Sequence, residues 1–227
     1  MARPFVRRAL KRAGVAPPRT PRERGAPRPV PPPRIFLPGE PEDAGPIDLA
    51  ALFGRRAPVE LEIGTGKGRF LMESAAARPE RNFLGLEIER AYAILVRERA
   101  GKRFLTNLRV EGLDGKEFVK RRLEPAALAA LHVYFPDPWP KKRHHKRRLF
   151  DAAFAAAAVR ALEPGGLLRV ASDHGEYWKV IEDVLGAEPG FVRLPPSETG
   201  SWSSGTNYEL KFAASGRAVF QAVFRRR

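Results

Sequence analysis

An acid held between two prolines and followed by a ring, Phe135-Pro136-Asp137-Pro138-Trp139, stands directly before Pro140 and the run Lys141-Lys142-Arg143-His144-His145-Lys146-Arg147-Arg148. A carboxylate can accept hydrogen bonds from the edge of a base, a ring can stack on its face, and clustered lysines and arginines can hold phosphates. The apolar run 129–135 leads into this segment and reads as a buried strand. Strand ends in open α/β sheets are where ligands bind. The segment therefore reads as an active site that grips nucleic acid. His144 and His145 have no acidic or cysteine partners beside them, so they read as neutral contacts to nucleic acid, and no metal site is expected.

A second segment can bind a cofactor. Glu62-Ile63-Gly64-Thr65-Gly66-Lys67-Gly68 ends one apolar strand and opens a helix, which lets backbone approach a ligand closely. A dinucleotide fingerprint would need its third glycine at 69, where this chain has Arg69, and a Walker A loop is excluded by the position of Lys67. The tighter spacing 64/66/68 instead resembles the loop of class I S-adenosylmethionine-dependent methyltransferases. Glu87 ends the next strand, where an acid can accept from both hydroxyls of a ribose. Glu62 should point into the same pocket, and Glu60, two residues earlier, is expected to face solvent. Asp114 ends a third strand, where it can accept from an adenine amino group or simply form the turn.

Alternation of strand and helix patterns positions these residues. Strands are expected over 59–63, 81–88, 107–113, 129–135 and 166–172, and helices over about 68–78, 90–104, 115–122, 149–162 and 174–186. Pro164-Gly165-Gly166 should stop the fourth helix. Short strands near 191–194 and 217–225 close the sheet, with a helical turn around 207–214. The predicted fold is α/β, a doubly wound and mostly parallel seven-stranded sheet, and it resembles the Rossmann-like class I methyltransferase fold.

The net charge of +15 over 227 residues favours a polyanionic partner. It is concentrated in two places: residues 1–34 hold ten lysines and arginines against Glu23, and 141–148 hold six more. Nine prolines in 1–34 oppose an amphipathic transit helix and predict a disordered basic arm, either a solubilising tail or an RNA-binding one. Residues 35–57 form a lead-in, and 58–227 the catalytic domain. Cysteine is absent, which removes disulfides, thiolate metal sites and a cysteine nucleophile. No apolar run approaches the ~18 residues of a membrane span. A cytoplasmic protein without a membrane association is expected.

The motifs occur together in one order: Glu-Ile-Gly-x-Gly-x-Gly68, Phe-Leu-Gly-Leu-Glu87, Asn107-Leu-Arg-Val, Phe-Pro-Asp-Pro-Trp139, the basic run to Arg148, and Thr206-x-x-Glu209. Across 58–227 this resembles the bacterial tRNA (guanine-N7-)-methyltransferases. The resemblance implies cofactor contacts from Glu62, Gly64, Gly66, Gly68, Glu87, Asp114 and Asp137, with Asp137 catalytic. It implies substrate contacts from Lys141, Asp173, Thr206, Asn207, Tyr208 and Glu209, and RNA contacts from Arg143, His144, His145, Lys146, Arg147 and Arg148. The implied partner is tRNA, methylated at a guanosine of its variable loop. A monomer or homodimer with no obligate protein partner is expected. The chain departs from the pattern at His174, which follows Asp173 where the family has Trp or a similar group, and in its Pro/Arg-rich arm.

Several residues keep a plain alternative. Asp173 can cap the helix after it, Glu209 can be a surface acid, and Trp139 can stack on a base or plug the sheet edge. Trp202 and the loop 197–205 look mobile. Methylation of an exocyclic amine, a non-catalytic RNA-binding module and an NAD-dependent enzyme are the rival functions. The single proline between Asp137 and Trp139 opposes the first, and Arg69 opposes the last.

Overall fold

The computed structural model describes residues 45–199, 205–206 and 218–227. The expectations for the 1–34 arm, Trp202, Asn207, Tyr208, Glu209 and the turn at 207–214 lie outside the described residues.

Seven strands form one sheet: Val59–Ile63 (β1), Asn82–Leu86 (β2), Leu108–Glu111 (β3), Leu128–Tyr134 (β4), Leu162–Ser172 (β5), Phe191–Arg193 (β6) and Phe220–Arg226 (β7). Their order is β3-β2-β1-β4-β5-β7-β6, and all neighbours run parallel except β7, which is antiparallel to both β5 and β6. Parallel neighbours need crossovers. These are supplied by Arg69–Ala77 (α2), Arg90–Lys102 (α3), Gly115–Arg121 (α4) and Ala152–Ala161 (α5). Gly175–Gly186 (α6) follows β5, and Pro196–Thr199 (α7) is a single turn.

Side chains alternate across a strand, and the core divides accordingly. Leu61, Leu84, Leu131, Val133, Leu168 and Val170 belong to one apolar cluster, with Phe118 of α4, Phe154 of α5 and Ile181 of α6. Phe83, Leu108 and Val110 belong to a second, with Leu71 of α2 and Val96 of α3. Helices therefore lie on both faces of the sheet. The described end of the lead-in joins this core: Leu49–Phe53 (α1) is capped by Asp48, which accepts from the Ala51 N–H, and Phe53 is buried.

Two local expectations change. Leu162 already pairs with Leu128, and the register shifts before Ala130 pairs with Leu167, so Pro164-Gly165-Gly166 lies within an irregular β5 after ending the helix. The segment from 197 is not wholly irregular, because Pro196–Thr199 is helical. No helix among the described residues is long and apolar enough to cross a membrane.

Candidate active site

Strand order reverses between β1 and β4, and a crevice opens at such a point beyond the carboxyl ends of the strands. A cleft of about 260 Å³ lies there, lined by Glu62, Gly64, Thr65, Gly66, Lys67, Arg69, Phe70, Tyr92, Tyr134 and Thr206. A larger cleft of about 450 Å³ lies by α1 and the start of β1, at the opposite end of the strands and away from every motif.

The glycine loop is built from three left-handed residues, with φ of 79° at Gly64, 50° at Gly66 and 71° at Gly68. Their surroundings differ. A Cβ at Gly64 or Gly66 would meet nothing within 4 Å, whereas one at Gly68 would sit 2.5 Å from a Val96 methyl. The first two glycines thus border open space for a ligand, and the third allows α2 and α3 to pack.

Glu87 stabilises this loop directly. Its Oε2 accepts from the Gly66 N–H at 2.7 Å and its Oε1 from the Glu89 N–H at 3.0 Å. Glu62 is buried, and its Oε2 has no hydrogen-bond partner. Burial, reinforced by the nearby Glu87 charge, pushes its carboxyl well above the usual range. A buried acid without a partner in an open pocket suits a cationic ligand that restores its charge. Open space at two glycines and this orphaned oxygen together fit the aminoacyl end of S-adenosylmethionine.

Other expected residues sit around the cleft without lining it. Asp114 caps α4, its Oδ1 accepting from the Lys116 and Glu117 N–H groups at 2.8 and 3.2 Å. Asp137 is exposed in the turn after β4. Asp173 is half-buried and does not cap α6: that position is His174, whose Nδ1 accepts from the Tyr177 N–H. Lys142–Arg147 forms a 3₁₀ helix, a turn not anticipated from its charge. Along it Lys141, Lys142, Arg143, His145, Lys146 and Arg147 are exposed, and His144 and Arg148 are half-buried.

This basic turn folds back on the motif before it. Trp139 packs edge-on against His144 with 5.7 Å between ring centroids, and the Arg147 guanidinium lies 5.0 Å over the Trp139 ring. Arg148 donates from Nε to the Pro138 carbonyl at 2.9 Å. Phe135 and Trp139 both take left-handed φ, 53° and 42°, which is uncommon for large side chains.

Glu60 departs from its expected place. It is 3% exposed, and its Oε1 accepts from Arg78 at 2.6 Å and Arg81 at 3.0 Å. Burial would raise its carboxyl, but the His132 hydrogen bond and the charges of Arg78 and Arg81 hold it well below the usual range. His132 is buried, which lowers its pKa and keeps it neutral. Its Nε2 lies 3.0 Å from Glu60 Oε2, so Nε2–H donates to the carboxylate and Nδ1 accepts from the Tyr134 hydroxyl at 2.8 Å. Tyr134 also meets Phe70 edge-on at 5.0 Å. Two walls of the cleft are thereby tied to a buried ion cluster that motif reading missed. The signal was present in the alternation, since Glu60, Glu62, His132 and Tyr134 share one face of β1 and β4.

A sheet of this order, with a glycine loop and two carboxylates at its reversal point, defines a class I S-adenosylmethionine-dependent methyltransferase fold. A solved structure described as an S-adenosylmethionine-dependent methyltransferase from Aquifex aeolicus overlays with a TM-score of 0.53 at 14% identity, covering 79% of this chain and 88% of that one. The family model described as "Putative methyltransferase" matches residues 56–222. The tRNA (guanine-N(7)-)-methyltransferase of Bordetella pertussis is 40% identical over 188 residues, 80% of this chain and 72% of that protein. The enzyme of the same name from Halorhodospira halophila is 40% identical over 197 residues, 82% of each. The chain belongs to the tRNA (guanine-N7-)-methyltransferase family.

Proposed function

We propose that the chain transfers a methyl group from S-adenosylmethionine to N7 of a guanosine in the variable loop of tRNA. One observation carries the reading: the buried, unpartnered Glu62 oxygen, the open Gly64–Gly66 loop, Asp137 and the cationic 3₁₀ turn all stand at the carboxyl edge of β1 and β4. Family membership supports the same substrate.

S-adenosylmethionine supplies, when bound, a methyl group activated by a sulfonium. Glu62 would hold its ammonium group, the Gly64–Gly66 backbone its amino-acid end, Glu87 its ribose and Asp114 its adenine. Guanine N7 carries an in-plane lone pair and needs no deprotonation before it attacks. Transfer would form the N–C bond as the C–S bond breaks, and would leave the positive charge on the purine for the chain's acids to face. The chain's work is therefore alignment, not base catalysis. Asp137 places the purine through its N1–H and N2–H edge, and its charge stabilises the cation that methylation creates. Lys141, Asp173 and the Thr206–Glu209 segment complete guanosine recognition, and the exposed cations of 142–147 hold the phosphates.

In this reading 58–227 carry catalysis, residues 1–34 add an arm that contacts RNA or acts as a tail, and the chain works in the cytoplasm as a monomer or homodimer. Incubating the purified chain with unmodified tRNA and tritiated S-adenosylmethionine, with and without residues 1–34, tests it. Aniline-induced cleavage at the labelled guanosine is expected. Label without cleavage would assign the methyl to another atom, such as an exocyclic amine, and tRNA binding without label would leave only a binding module.

A further inference from the structure

Six cations crowd into 141–148, and their charge alone would make all of them phosphate ligands. The geometry separates one from the rest. Arg148 is half-buried, and its Nε–H is committed to the Pro138 carbonyl at 2.9 Å. Its guanidinium lies 4.8 Å over the ring of Tyr177, which is fully buried. The Tyr177 hydroxyl in turn accepts from the Phe150 N–H at 3.3 Å. Arg148 is also held by its backbone: its carbonyl accepts from Lys116 Nζ at 2.9 Å, and the same ammonium contacts Asp151 Oδ2 at 2.7 Å. Asp151 caps α5 through the Phe154 N–H.

The residue held by this arrangement adjoins Asp137. Pro138 stands between Asp137 and a left-handed Trp139, and Phe135 on the other side is left-handed too. Such conformations persist only where surrounding contacts over-determine them. Phe135 is held by its N–H on the Ala171 carbonyl at 2.8 Å, and Arg148 supplies the matching hold on the far side. We infer that Arg148 is a positioning residue for Asp137, braced by Lys116 and Tyr177, and not one of the RNA ligands of the cluster. Lys116 lies two residues after Asp114, so the brace also ties the start of α4 to the Asp137 turn. The inference rests on the role given to Asp137 above.

Exchange for lysine discriminates the two roles. A phosphate contact accepts lysine as a point charge, whereas a fork that donates from Nε while stacked on a ring does not. A misplacement of about 1 Å at a reacting centre can cost on the order of a hundredfold in rate. With the full chain and unmodified tRNA, Arg148→Lys should lower kcat by about ten- to a hundredfold. KM for tRNA should stay within about twofold, and its dependence on salt should not change, because no phosphate contact is lost. Lys116→Met, outside the basic run, should lower kcat in the same way by a smaller factor. Retention of the thermal shift given by S-adenosylhomocysteine would show each variant folded. Full kcat in Arg148→Lys, or a raised KM with kcat intact, would overturn the inference while the function stood. No transfer by the wild-type chain would overturn the functional reading and this inference with it.

Discussion

Substituting alanine at two glycines of the same loop should break two different things. At Gly68, φ is 71°, and a Cβ would lie 2.5 and 2.6 Å from the two Val96 methyls. Left-handed backbone costs an alanine about 1–2 kcal/mol. Val96 is fully buried and β-branched, so it cannot turn aside, and overpacking adds about 1–3 kcal/mol. The sum, about 2–5 kcal/mol, corresponds to a fall in Tm of roughly 4–20 °C for a chain of this size. At Gly66, φ is 50° but nothing lies within 4 Å of a Cβ, so only the backbone cost of about 1–2 kcal/mol applies. The new methyl would instead enter the space assigned to the ligand. S-adenosylhomocysteine at a hundred times its Kd should stabilise the wild-type chain by about 2.7 kcal/mol. Thermal unfolding with and without that ligand separates the cases. Gly68→Ala should melt far lower yet keep a ligand shift, and Gly66→Ala should melt slightly lower and lose it. A full ligand shift in Gly66→Ala would refute the assignment of the open side of the loop to the cofactor.

Further outcomes bear on the acids and the cations. Asp137→Ala should abolish turnover while tRNA binding, measured by filter retention, survives. Lys142→Ala should weaken tRNA binding and make the log–log salt slope shallower by about 0.7–0.9, the value of one phosphate contact. The raised carboxyl of Glu62 favours its neutral form in the folded, ligand-free chain. That stability is present below pH 4.5 and lost as pH rises through the folded value. Glu62→Gln, which cannot ionise, should therefore raise Tm of the ligand-free chain at neutral pH while weakening S-adenosylmethionine binding at least about tenfold, the loss expected on removing a charged hydrogen-bond partner. Removing His132 takes away the hydrogen-bond partner of Glu60 Oε2 and one partner of the Tyr134 hydroxyl, and His132→Ala should cost about 2–3 kcal/mol in chemical denaturation.

Motif and alternation made much of this legible. Gly64, Gly66 and Gly68 could be placed on the β1–α2 turn because glycine spacing reports backbone conformation directly. The sheet followed from runs such as Val59–Ile63 and the apolar segment before Phe135, whose lengths suit buried parallel strands. What sequence did not disclose depends on contacts between distant segments. Glu60 looked like a surface acid because nothing near it in the chain shows that Arg78, Arg81 and His132 converge on it. The 3₁₀ turn at Lys142–Arg147 was hidden by its charge, which suggests a solvated loop. Its hold on Trp139, and that of Arg148 on Pro138, come from rings and guanidinium geometry, which charge counting does not see.

The basic run therefore combines two kinds of work that its composition cannot distinguish. An acid proposed to face a developing cation needs a fixed position, and left-handed φ at Phe135 and Trp139 makes the turn carrying it unfavourable on its own. Support has to come from groups that reach the turn from outside it. Arginine suits this because a single guanidinium can donate to a carbonyl and stack on a ring at once, as Arg148 does between Pro138 and Tyr177. Lysines 141, 142 and 146 make no such inward contact among the described residues and remain exposed. Their charge can then act on a polyanion at little cost to the fold. The order along the chain follows from this division. The bracing arginine ends the run, where β4's turn has come back over α6, and the exposed lysines lie on the stretch between. A substrate drawn in by the lysines would thus arrive at an Asp137 already held in place.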